Sequence, residues 1–174
     1  MKQPTWTIRS YRPADCGELA ALFYNTVHTV NAKDYTRQQL DAWAPEIPDP
    51  EAWNRSFPEH FCVVAEENGA IVGFGDIDAS GYLDRLFVHA DHQREGIGGS
   101  ICAQLEQSFQ GTILTHASIT AKPFFERRGY QVKQKQTVQR HGVSLTNFVM
   151  EKPPLLLSKN QPQQEEQAAD FEKL

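Results

Sequence analysis

The sequence predicts an α/β fold of the α+β kind: a mixed, mostly antiparallel central sheet of about six to seven strands flanked by helices. Three observations predict it. β-rich runs come in consecutive pairs around short turns, "FCVVAEENGAIVGFGDI" and "YQVKQKQTVQRHGVSLTNFVMEK". Apolar residues at three- and four-residue steps mark helices before the first pair and between the pairs. A strand–helix–strand–helix–strand unit occupies the centre.

Each element has a local cause. "TWTIRSY" alternates as an edge or outer strand does. "RPADCGELAALFYNTVHTV" then reads as a helix, with Asp15 and Glu18 as a capping box and Leu19, Leu22, Phe23, Thr26, Val27 and Val30 on one face. In "TRQQLDAWAP" Thr36 caps, Gln39 answers and Pro45 stops the helix. "DPEAWNRSF" carries an Asp cap followed by Pro in the first turn. Asn68-Gly69 marks the first hairpin turn, and "GYLDRLFVH" is the next strand. From Ile97, the residues Ile101, Leu105 and Phe109 recur at four-residue spacing, so a helix begins at the glycines of "DHQREGIGGS". "GTILTHASI" is a strand. "AKPFFERRGY" is a short helix with Pro123 at its start, Arg127 and Arg128 at its negative end and Gly129 as cap. Two strands joined by "HG" close the sheet.

The 174 residues suit one domain, placed at 1–152. The composition then shifts to "PPLLLSKNQPQQEEQAADFEKL", which reads as a flexible tail over 153–174. A net charge of −5 argues against a nucleic-acid partner. Cys16, Cys62 and Cys102 are far apart and form no CxxC pair, so neither a disulfide framework nor a metal site is expected. No apolar run has the length of a leader or a membrane span, which implies a cytoplasmic protein without membrane partners. The "NRS" sequon at Asn54 is then without consequence.

The glycines at 96, 98 and 99 are the functional signal. A helix start leaves backbone N–H groups unpaired and partly positive, and they attract phosphate. Bare glycines let a diphosphate approach them, and Arg94 adds charge. A Walker loop would need a lysine after the glycines, and none is there; a dinucleotide fingerprint would need a third glycine where Ile101 stands. The remaining pattern is Q/R-x-x-G-x-G/A after a strand, satisfied by Gln93-Arg94-Glu95-Gly96-Ile97-Gly98.

On these residues the chain resembles the GNAT superfamily of acetyl-CoA-dependent N-acetyltransferases. "IRSYRPADCGELAALF", "VVAEENGAIVGFGDI", "LDRLFVHADHQREGIGGSICAQLE" and "ASITAKPFFERRGY" each resemble a segment of that family, together spanning roughly residues 5–151. "VHTVNAKDYTRQQLDAWAP" points to a bacterial subgroup. The resemblance implies a sheet splayed between its fourth and fifth strands, with the pantetheine arm of acetyl-CoA in the gap. Leu86, Phe87 and Val88 would offer backbone groups to that arm. Gln93, Arg94, Glu95, Gly96, Ile97, Gly98 and Gly99 would hold the pyrophosphate, with Lys122, Arg127 or Arg128 adding charge, and Ser118 and Phe125 beside the thioester. The acceptor would be a small-molecule or peptide amine, and the protein a monomer or homodimer.

An alkyl ammonium must lose a proton before it attacks. Asp84, Tyr82, His28 and Tyr35 are the candidate bases, with Asp84 weighed against a plain role as an ion-pair partner and His28 against a helix-end cap. Tyr35 and Trp43 are candidates for the acceptor pocket, weighed against core packing, as are Trp53 and Phe57. Phe125 departs from the family's tyrosine, whose hydroxyl protonates the leaving thiolate; water, Ser118 or Tyr130 would have to serve. This departure motivates the alternative of an acyl-CoA-binding or regulatory module with weak or no transfer. A nucleotide-binding protein unrelated to CoA is a further alternative.

Overall fold

A computed structural model describes residues 3–154, so the tail expected at 153–174 falls almost wholly outside the described residues. The strands are β1 (Thr7–Ser10), β2 (His60–Glu67), β3 (Ala70–Asp78), β4 (Tyr82–Val88), β5 (Ile113–Ser118), β6 (Gln131–Arg140) and β7 (Val143–Lys152). The helices are α1 (Cys16–Thr29), α2 (Arg37–Trp43), α3 (Pro50–Asn54), α4 (Ile97–Gln107) and α5 (Lys122–Arg127). The strands form one sheet in the order β1-β2-β3-β4-β5-β7-β6, with β1 at one edge as expected. Every neighbouring pair is antiparallel except β4–β5.

The local signals explain most boundaries. Asn68 and Gly69 take φ of 52° and 81°, and His141 and Gly142 take 46° and 76°, so both hairpins turn through two left-handed residues. Thr36 and Gln39 exchange their capping bonds, and Ala44, the residue before Pro45, leaves the helical region at ψ 82°. Asp49 accepts from the Ala52 N–H and starts α3.

The expected box at Asp15 and Glu18 is corrected. Asp15 is itself helical in backbone and caps nothing in α1; Pro13–Asp15 form a 3-10 turn ahead of it. Its carboxylate takes Arg9 Nη1 at 2.8 Å, Arg9 Nη2 at 2.9 Å and the Arg12 N–H at 2.8 Å. Glu18 instead accepts the Ile71 N–H at 3.2 Å, across to β3. Both acids do satisfy backbone donors, but the paired arginine of β1 decides where Asp15 points.

Helices cover both faces. Ile97, Ile101 and Leu105 of α4 bury against Val63, Val72 and Leu83, joined by Phe125 and Tyr130. On the other face Leu19 and Leu22 of α1 pack with Phe57, Val64 and Phe74. Glycines let α4 sit close: a Cβ at Gly75 would stand 2.9 Å from the Arg85 carbonyl oxygen and 2.9 Å from Ile101. The close seat of α4 fixes the start of that helix beside the end of β4.

Candidate active site

The parallel pair β4–β5 is joined only at Tyr82↔Leu114 and Leu83↔Thr115; beyond those positions the strands part. Thr115 Oγ1 donates to the Leu83 carbonyl at 2.9 Å and pins the vertex. A β-bulge sits at the same place, because Asp76 pairs with Arg85 while the next residue, Ile77, pairs with Leu83. Asp84 is therefore the extra residue, and bulges re-aim side chains next to open sites. From this vertex a cleft of about 900 Å³ runs to the start of α4.

At the far end lie the glycines. Gly96 has φ 86° and Arg94 φ 67°, two left-handed residues in a loop that turns straight into α4. No side chain caps α4, and its first turn carries no acidic residue. The N–H groups of Ile97, Gly98 and Gly99 thus face the cleft end without side-chain partners. A Cβ at Gly98 would approach Val88 to 3.5 Å and Phe124 to 3.6 Å, filling the floor. Gln93 spends its side chain on the loop itself, donating to the Val88 carbonyl at 2.6 Å.

The other predicted residues fall as follows. Leu86, Phe87, Val88, Arg94, Ser118, Phe125, Tyr82, Asp84, Tyr35 and Trp43 all line the cleft. Glu95 does not; it is exposed and pairs with His92 at 3.1 Å. His28 does not either: Nε2 lies 2.8 Å from the Ala44 carbonyl oxygen and its ring packs on Tyr24 at 4.4 Å. Tyr35 is a clamp, donating to the Thr146 carbonyl at 2.7 Å and accepting the Ile119 N–H at 2.9 Å. Of the three phosphate candidates on α5 and after it, Lys122 pairs with Glu126 at 2.8 Å and Arg128 with Glu106 at 2.8 Å. Arg127 lines the cleft and has no ion pair among the described residues.

Near the thioester position expected from the sequence, Phe125 is buried against Tyr130, ring centres 4.9 Å apart. The Tyr130 hydroxyl is buried without a partner, off the cleft wall, and burial pushes its pKa up. Ser118 is on the wall; its Oγ accepts the Ala121 N–H at 3.0 Å and keeps its own O–H to donate. Tyr82 is half-buried, with its pKa raised by burial and by the Asp84 charge, so it holds its proton at neutral pH.

Behind Asp84 stands a charge row that the sequence reading had not assembled. Asp76 is fully buried; its Oδ2 lies 2.7 Å from His60 Nδ1 and 3.0 Å from Arg85 Nη1. Arg85 Nη2 donates to Ser56 Oγ at 2.9 Å and stands 3.6 Å from Asp84 Oδ2. The guanidinium lies over the rings of Phe57 at 4.4 Å and Trp53 at 5.0 Å. Burial pushes the Asp76 carboxyl up, against the pull of Arg85 and His60. The available signal was the lone acid in "AIVGFGDI": a charge inside an apolar strand needs buried partners.

The family described as Acetyltransferase (GNAT) domain matches residues 31–152. The chain belongs to the GNAT acetyltransferase family. An uncharacterized N-acetyltransferase of Escherichia coli K12, YafP, is 37% identical over 147 residues, spanning 84% of this chain and 95% of that protein. A GCN5-related N-acetyltransferase from Rhodopseudomonas palustris is 30% identical, with a TM-score of 0.81 over 88% of this chain and 98% of that one. A GNAT phosphinothricin acetyltransferase from Sinorhizobium meliloti, solved in complex with acetyl-CoA, shares the fold at 16% identity: TM-score 0.68, over 87% of this chain and 89% of that one. This GNAT chain is accordingly an acyltransferase.

Proposed function

We propose that the protein transfers an acetyl group from acetyl-CoA to an amine. The observation that carries this reading is the uncapped start of α4 at one end of the splayed β4–β5 cleft. The N–H groups of residues 97–99 offer a diphosphate a ready anion site, and Arg94 and Arg127 add charge. The free edges of Leu86–Val88 offer the pantetheine arm strand-like bonds. A backbone N–H there polarises the thioester carbonyl as charge develops on its oxygen.

Asp84 is the proton acceptor in this reading. Among the described residues it is the only carboxylate on the cleft wall, and the bulge sets it at the vertex. Arg85 Nη2 stands 3.6 Å from its Oδ2. Asn147, on the same wall, has a buried side-chain oxygen with no partner among the described residues. Ser118 and Tyr82, both on the wall with a proton to give, are the donors available to the departing thiolate, Phe125 having none. The test is calorimetric titration with acetyl-CoA followed by CoA release across a panel of primary amines. Binding with turnover of at least one amine is the expected result; no heat on titration defeats the assignment.

The second reading, an acyl-CoA-binding module, is favoured by one observation: Phe125, on the cleft wall where the family resemblance leads one to expect a tyrosine, carries no hydroxyl. Phe125→Tyr separates the two. A working site that lacks only its acid gains in kcat, whereas a binding module stays silent.

A further inference from the structure

Three adjacent strands contribute to the row behind Asp84: His60 from β2, Asp76 from β3, Arg85 and Asp84 from β4. Its charges do not balance without the histidine. Asp76 and Asp84 carry two negative charges and Arg85 one positive, so with His60 neutral the row holds one net negative charge, which one proton arriving at the imidazole balances. Asp76 is the ionised member that geometry supports. Its Oδ2 accepts from Arg85 Nη1 at 3.0 Å and stands 2.7 Å from His60 Nδ1, so the guanidinium offsets the cost of burying the charge.

The row also has two ends. Asp84 lines the cleft; His60 and Asp76 do not. The His60 side chain keeps 19% of its surface exposed, away from the cleft wall. One polar atom each of His60, Asp76 and Asp84 lies within 4.8 Å of the others. One water, bonded to both sides, spans a gap of that size. Arg85 carries no proton onward, since guanidinium does not deprotonate in proteins; it holds both carboxylates in place.

We propose that His60 is the proton outlet of the acetyl transfer. The inference rests on the transferase reading and on Asp84 as its acceptor. The ammonium of the acceptor gives one proton to Asp84, which becomes the neutral acid. Asp84 returns to carboxylate as the proton crosses one water to the imidazole, which becomes imidazolium. Asp76 stabilises that cation, and the imidazolium releases the proton to solvent at its exposed side. The groups facing His60 are Asp76 and Asp78 of β3, Asp84 and Arg85 of β4, and Cys62 on its own strand. His60 is a positioning and relay residue, since it touches neither reactant.

Two measurements test this. The first is an NMR titration of the His60 ring in the wild type and in Asp84→Asn, assigned with His60→Gln. Loss of the neighbouring negative charge lowers the midpoint by about half a pH unit or more; an unmoved midpoint overturns the proposal. The second uses the amine that supports CoA release. His60→Ala lowers kcat at least ~10-fold, following the scale of acid–base assistance, with KM for acetyl-CoA unchanged. Added imidazoles of graded basicity then restore the rate in order of their basicity. Equal rescue by all of them, or wild-type kcat in both His60→Ala and His60→Gln, overturns it. Coupled titration without turnover of any amine counts against the transferase reading; turnover with uncoupled titration counts against the outlet alone.

Discussion

Asp15 and Asp84 are both acids beside an arginine, and their surroundings give them different work. Asp15 is 10% exposed and held by two guanidinium contacts and a backbone N–H, so its pKa lies below the ordinary carboxylate value. By linkage, a lowered folded-state pKa stabilises the protein above the unfolded value, near 3.9, and that stability fades as pH falls through the folded value. Asp15→Asn is expected to cost about 1–2 kcal/mol at pH 7, and the deficit to shrink in acid, read by urea unfolding at pH 7 and pH 3. Asp84 is more open and faces the cleft. Asp84→Asn is expected to lower kcat ~10²–10⁴-fold while leaving the heat of acetyl-CoA binding in place, measured by CoA release and calorimetry. The sequence named Asp84 as the carboxylate nearest the stretch expected to bind the thioester. It could not show that Asp84 is the bulged residue, since a bulge depends on how the partner strand pairs. Nor could it separate Tyr35 the clamp from Tyr35 the pocket residue, because its two bonds reach Thr146 and Ile119, more than eighty positions away.

Elements were more legible than residues, because their causes are local. Asn-Gly, Thr36–Gln39 and the glycines before α4 each act within a few positions, and each appears where the chain placed it. The insertion of β7 between β5 and β6 is different: it pairs Ile113 with Lys152 through to Ser118 with Asn147, across α5 and β6, and no turn signal encodes it. The α4 start allows a prediction that separates folding from binding. Gly98 is helical and open enough for a methyl group, with its nearest neighbours at 3.5 Å. Gly98→Ala should therefore keep or slightly raise Tm, as alanine favours a helix by up to ~1 kcal/mol over glycine. It should still weaken acetyl-CoA binding at least ~10-fold if, as proposed, the diphosphate approaches the N–H groups where the new methyl stands. Gly96 needs φ 86°, so Gly96→Ala should lose about 1–2 kcal/mol of stability as well as affinity. Thermal unfolding and calorimetry on the two variants read both effects; equal affinity in Gly98→Ala and wild type would count against the cradle.

At the scale of the whole molecule, charge is unevenly spread. The chain carries −5 overall, which repels an anionic coenzyme at long range. The cleft reverses that sign locally: Lys33, Arg85, Arg94, Arg127 and Arg140 line it, against Asp84. Arg85 is neutralised by Asp76, but Arg94, Arg127, Lys33 and Arg140 have no ion pair among the described residues. A low-dielectric cleft focuses such a field, so acetyl-CoA should be drawn in electrostatically despite the net charge. Salt separates the two fields. At ~0.01 M ionic strength the screening length is about 30 Å, long enough for the whole-molecule charge to act; at 0.15 M it is about 8 Å, and the cleft cations dominate at short range. Association of acetyl-CoA, followed by stopped-flow fluorescence of the cleft tryptophans, should slow steadily above 0.15 M salt. In Arg94→Gln/Arg127→Gln that slope should flatten and the rate should fall several-fold, with the amine KM unchanged. A salt slope identical in the double variant and the wild type would mean that these two arginines do not meet the phosphates, and that the backbone N–H groups of α4 hold the diphosphate on their own.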